Sequence, residues 1–194
     1  MMEAMKPVKR SVAVVVRRRA ADRGTGDCGE FLVVRRPDDP ADQLAGAWGL
    51  PAITRLDGED ERTAAARAGR VKLGVDLAVG RRIGEKAADR DGYMLCLADY
   101  EATIVSGVPD VPQPDRSMTQ YTAWRFTADL AILNDAASRG SLCARIFLED
   151  NSKKRSMSAS EEGSASVNSN KRPAAGAPAS LPAATGPTAT ADPA

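Results

Sequence analysis

The sequence predicts an α/β protein, a mixed β-sheet with helices packed against it, on three observations. Ser11 to Val16, SVAVVV, is a β-branched run that reads as a central strand buried on both faces. Glu59 to Gly74 carries acids at its start (Glu59, Asp60, Glu61), cations towards its end (Arg67, Arg70, Lys72) and a glycine as its stop, the distribution a helix dipole favours. Leu77 to Lys86 and Gly92 to Ser106 then read as two further strands, the second with an apolar patch, Met94 to Leu97, followed by looser alternation.

In chain order, residues 1–9 are expected as a flexible arm ahead of a domain over 10–150. Arg17, Arg18 and Arg19 end the first strand, Ala20 to Gly29 turns, and Glu30 to Arg36, EFLVVRR, returns as the second strand of a hairpin. A loop through Ala45-Gly46 leads to Trp48, Pro51 ends a strand, and Asp57-Gly58 turns the chain into the helix. Asp89-Arg90-Asp91-Gly92 is the predicted turn between the two later strands. Val108 to Pro114, VPDVPQP, has three prolines and must be a semi-rigid loop.

Met118 to Phe126 reads as the last strand and gathers Tyr121, Trp124 and Phe126 into one apolar corner. Thr127 is placed to cap a helix over Ala128 to Arg139 that Gly140 ends, and a short helix is expected over Leu142 to Leu148. Residues 151–194 contain no aromatic residue and are dominated by Ala, Ser, Pro, Thr and Gly, so a disordered tail is expected. Its basic clusters, Lys153-Lys154-Arg155 and Lys171-Arg172, read as solvated charge, with contact to an anionic partner as the other reading.

Composition removes whole classes of chemistry. Lysine and arginine number 27 against 26 acids, a net charge of +1, so the balance calls for neither nucleic acid nor an anionic membrane. The chain has no histidine, which excludes imidazole bases, nucleophiles and metal ligands. Cys28, Cys96 and Cys143 are odd in number and widely spaced, as expected of free thiols in a reducing cytosol. No apolar run approaches the ~20 residues that span a bilayer. A soluble cytoplasmic protein is expected, with no membrane partner and with a homodimer left open.

The chemistry-bearing stretch is Trp48 to Val75. Trp48-Gly49-Leu50-Pro51 is followed by Glu59, Arg67 and Gly74-Val75 at fixed intervals. This pattern resembles the Nudix box, G-x5-E-x7-R-E-U-x-E-E-x-G-U, of the Nudix (MutT-like) hydrolases, preceded by that family's W-x-L-P. The resemblance implies a Nudix-like α/β/α sandwich and hydrolysis of a nucleoside diphosphate linked to another moiety, with Mg²⁺ or Mn²⁺ as cofactor. It casts Glu59 and Arg67 as catalytic residues and Glu59 with Glu61 as metal ligands. Arg35, Arg36, Lys72 and Trp48 become candidates for contact with a nucleotide or another phosphorylated small molecule.

Four positions depart from the pattern. Ile53 stands at its first glycine, and Ala68, Val71 and Lys72 stand where three glutamates would hold the metal. Carboxylates at i, i+3 and i+4 share one helix face and bind hard cations through oxygen. Alanine and valine offer no lone pair, and lysine brings a cation to that place.

Two readings follow. The chain is a weak or altered hydrolase, with Glu59, Glu61, Glu85 and Glu101 rebuilding a metal site; or it is a non-catalytic module that binds phosphate, or a protein partner, and needs no metal. Several candidates also have a bland alternative. Arg35 and Arg36 serve as solvated strand ends, Trp48 as a core or hinge anchor, and Asp110 and Asp115 as turn residues.

Overall fold

The computed structural model describes residues 6–18, 29–114 and 120–162, with side chains described to Met157. The strands are β1 (Val8–Arg17), β2 (Phe31–Arg35), β3 (Trp48–Gly49), β4 (Ala52–Thr54), β5 (Asp76–Arg90), β6 (Tyr93–Ser106) and β7 (Ala123–Thr127). The helices are α1 (Glu61–Leu73), α2 (Asn134–Ser138) and α3 (Leu142–Glu162), with a 3-10 turn over Leu130–Leu133. The seven strands form one sheet in the order β3-β2-β1-β6-β5, with β4 on β1 and β7 on β2. The β1–β6 pair is parallel and all the others are antiparallel, so the sheet is mixed as predicted.

The valine run sits at the centre because both its faces are covered. Val12, Val14 and Val16 pack on the α1 side with Leu73 and Val75, while Ala13 and Val15 pack on the α3 side with Phe31 and Phe147. Phe31 and Phe147 meet edge-on with centroids 4.9 Å apart. The layers are therefore helix, sheet and helix, the predicted sandwich.

α1 begins and ends as its sequence dictates. Asp60 caps it by accepting from the Arg62 and Thr63 amides at 2.9 and 3.1 Å, and Gly74 stops it at φ 68° with its N–H on Arg70 O. Gly69, mid-helix, has a packing reason. A Cβ there would lie 2.5 Å from Leu77 Cγ and 2.9 Å from Val75 O, so only glycine lets α1 sit this close to β5.

Several boundaries differ from expectation. β1 starts at Val8 because Val8 and Lys9 already pair with Met94 and Leu95. β5 runs on to Arg90, since Asp89 and Arg90 pair with Met94 and Tyr93, which leaves Asp91-Gly92 as a two-residue turn. The helix expected over 128–139 is broken into the 3-10 turn and the short α2, whose buried anchors Leu133 and Ala136 are three residues apart. Thr127 caps the preceding turn, its Oγ1 accepting from the Asp129 amide at 3.0 Å.

α3 passes the expected end at Leu148 and continues to Glu162, into the segment predicted as tail. An ionic network holds this extension: Arg81 reaches Glu101 and Asp150, and Lys154 bonds both of those acids at 3.3 and 3.0 Å. The remainder of the predicted tail, the loop at 19–28 with Cys28, Asp115 and the start of the predicted last strand lie outside the described residues. The strand itself is seen from Ala123, paired with β2. Among the described residues no helix is long and apolar enough to cross a membrane.

Candidate functional site

The loop from β4 into α1 is held by a charge clamp. Arg67 donates from Nε to Glu59 Oε1 at 2.7 Å and from Nη2 to Oε2 at 2.8 Å, and Nη2 also reaches Thr54 O at 2.8 Å. The Leu56 amide adds a bond to Glu59 Oε2 at 2.9 Å, while Arg55 donates to the Glu59 carbonyl through Nε and Nη2. The Glu59 side chain is only 8% exposed. The Arg67 hydrogen bonds hold its carboxyl below the usual range despite burial, and the same bonds raise Arg67. The residues paired by the box spacing thus meet, and their contact shapes the loop.

Of the other predicted acids, Glu61 and Glu85 converge on one arginine, Arg82, and Glu101 lies away from both. Glu61 accepts from the Tyr100 hydroxyl at 2.7 Å and lies 3.2 Å from Arg82 Nε. Arg82 also bonds Glu85 at 2.6 Å. Glu101 points to the opposite face of the sheet, towards Arg17, Arg81 and Lys154. No group of three or more acidic or thiol side chains among the described residues is placed to hold a metal ion. Ala68 is fully buried, Val71 packs against the core, and Lys72 is 4% exposed. The described residues do not fit a hard divalent cation, which takes several oxygens at ~2.0–2.6 Å.

They do form a cationic cleft of about 990 Å³ beside the end of α1. Lys9 of β1, Arg36 after β2, Arg55 and Arg67 of the box, Lys72 of α1 and Arg90 of β5 line it. Against these six cations, the described lining has two acids, Asp39 and Asp42. Arg36 is fixed by Asp42, which accepts from Nε at 2.7 Å. Lys72 Nζ lies 5.7 Å from the Tyr121 ring centroid. Tyr121 is pinned by its hydroxyl accepting the Ala52 amide at 2.9 Å, and burial pushes that hydroxyl up to about 12.

Of the predicted contact residues, Arg36 and Lys72 line this cleft. Arg35 turns away to Asp38 and Gly46 O. Trp48 lines a smaller chamber behind the cleft, with the Arg125 guanidinium 4.7 Å from its ring. Asp110 is exposed, its amide bonded to Leu73 O. Lys9, Arg55 and Arg90 come from segments far apart in sequence, and no local pattern marks them as neighbours.

No family model and no curated protein matches the chain. Its fold does match solved structures. The MutT protein from Methanosarcina mazei Go1 aligns over 78% of this chain and 99% of its own, at 17% identity and TM-score 0.57. A Nudix hydrolase from Nitrosomonas europaea aligns over 77% and 90%, at 16% identity and TM-score 0.52. The ORF135 protein of E. coli aligns over 66% and 79%, at 18% identity and TM-score 0.50. Set beside the sandwich and the box-derived loop, these likenesses establish that the chain has the Nudix fold.

Proposed function

We propose that this Nudix-fold protein binds a phosphorylated small molecule, a nucleotide or another phosphate ester, through fixed protein cations in place of a divalent ion. The observation that carries this reading is Lys72. It lines the cleft from the helix position where the box pattern has a metal-binding glutamate. A cation from the protein neutralises phosphate where a metal would otherwise do so, and the arginines around it add directional donors. Wherever Mg²⁺ or Mn²⁺ is bound in this fold, it supplies charge screening and an activated water. Here the side chains do the binding and orienting, and pyrophosphate-bond hydrolysis is expected to be weak or absent.

The test is calorimetric titration of inorganic pyrophosphate and ADP into the protein, in Mg²⁺ and in EDTA, for the parent and for Lys72→Met. Binding that survives EDTA and weakens about tenfold or more in Lys72→Met supports the reading. Binding that requires metal, or metal-dependent product from a nucleotide panel, overturns it in favour of a working hydrolase.

A further inference from the structure

Behind the cationic cleft lies a second chamber of about 150 Å³, and the two adjoin: Arg36, Leu44, Leu95, Leu97, Arg90 and Tyr121 line both. The inner chamber is closed by Val34, Trp48, Ala136, Leu142 and Cys143. Its character is opposite to that of the cleft. The polar groups on its wall are engaged within the protein. Arg36 is on Asp42, Arg90 Nη2 donates to Gly140 O at 2.6 Å, Ser141 Oγ meets Cys143 Sγ at 3.2 Å, and the Tyr121 hydroxyl accepts from Ala52. Burial also pushes the Cys143 thiol up to about 11, so this wall carries no thiolate at neutral pH.

An apolar chamber of about this size accommodates one benzene-sized group. A nucleobase with its ribose exceeds a chamber of this size, and the ring would lie against a wall built mainly of Val34, Leu44, Leu50, Leu95, Leu97 and Leu142. A short hydrocarbon loses nothing there. Because Arg36 and Arg90 stand on the boundary between the chambers, a diphosphate held by the cleft cations would direct an attached group of five or six carbons inward.

We propose that the ligand of this protein is an amphiphilic phosphate ester, a diphosphate carrying a small hydrocarbon group, and not a nucleoside diphosphate. This rests on the anion-binding reading of the cleft and adds a class of ligand to it. The inner chamber is the specificity element and Ala136, on its wall, its size limit. Recognition is divided: the cleft holds charge and the chamber selects the apolar substituent.

The experiment titrates inorganic pyrophosphate, n-pentyl diphosphate and ADP into the full chain in EDTA. The expected result is n-pentyl diphosphate binding at least about tenfold tighter than pyrophosphate, and tighter than ADP. Ala136→Leu, which fills the chamber, should abolish the advantage of the pentyl group and leave pyrophosphate binding unchanged. Leu142→Ala, which enlarges it, should shift the preference to a longer alkyl chain and guards against a filled variant that fails to fold. Equal binding of pyrophosphate and the pentyl ester overturns the chamber assignment while leaving the cationic cleft intact, as does tighter binding of ADP. No binding of pyrophosphate overturns the cleft reading itself and this inference with it.

Discussion

Glu59, whose side chain is covered by its partners in the loop before α1, and Asp99, enclosed in the core, lie in opposite electrostatic situations. Glu59 accepts two bonds from Arg67 and one from the Leu56 amide. Asp99, on the α3 side of β6, has 0% exposure and no hydrogen-bond partner for either oxygen. Burial alone pushes the Asp99 carboxyl well above its usual range, whereas the Arg67 bonds hold Glu59 below its own. The contrast teaches that burial does not set the ionisation of an acid in this fold; the partner does.

The largest expected effect breaks the paired side. Arg67→Met leaves Glu59 buried without its cation and should cost about 3 kcal/mol of unfolding free energy by urea denaturation. Replacing both residues by methionine should recover at least ~1 kcal/mol of that loss, because no uncompensated charge remains. If the double variant is as unstable as the single one, the loop depends on the arginine for more than charge. On the unpaired side, Asp99→Val should stabilise the protein by about 1–3 kcal/mol at pH 7, since it removes a buried polar group that nothing satisfies.

The pH dependences should have opposite signs. The folded Glu59 carboxyl titrates below its ordinary value of 4.5, so its contribution is present above about pH 4.5 and is lost as pH falls through the folded value. Asp99 titrates above its ordinary value of 3.8 when folded. Above that pH the unfolded chain ionises while the folded chain holds its proton, so stability declines as pH rises. Urea midpoints from pH 3 to 8 should show Asp99→Asn flattening the decline and leaving the acid limb in place. The smallest effect sharpens the middle case: Glu61 is partly exposed and bonded to the Tyr100 hydroxyl, and Tyr100→Phe should cost only about 1 kcal/mol.

How much of this was legible in the sequence varied with the range of the interaction. The span of α1, the acids at its start, its Gly74 stop and the Glu59–Arg67 spacing are local features, readable because a helix repeats every few residues and its ends demand particular side chains. The central place of SVAVVV followed from its lack of alternation. Asp99 was not legible. Its neighbours in the strand are ordinary, and only the coverage of that face by α3 leaves the carboxylate without water. The extension of α3 was missed for a related reason: composition changes near residue 150, but Arg81, Glu101, Asp150 and Lys154 meet across three elements.

By itself the sequence determined the α/β class, the helix that follows Asp57-Gly58, the absence of histidine chemistry and the presence of alanine, valine and lysine at positions 68, 71 and 72. Only the tertiary structure decided which acids meet which arginines, that cations from β1, β5 and the loop after β2 converge on Lys72, and that an apolar chamber opens behind them. The physical reason is one of distance along the chain. Caps and periodicity act over a few residues, whereas convergence of charge depends on strand register and layer packing, which bring together positions as far apart as Lys9 and Arg90.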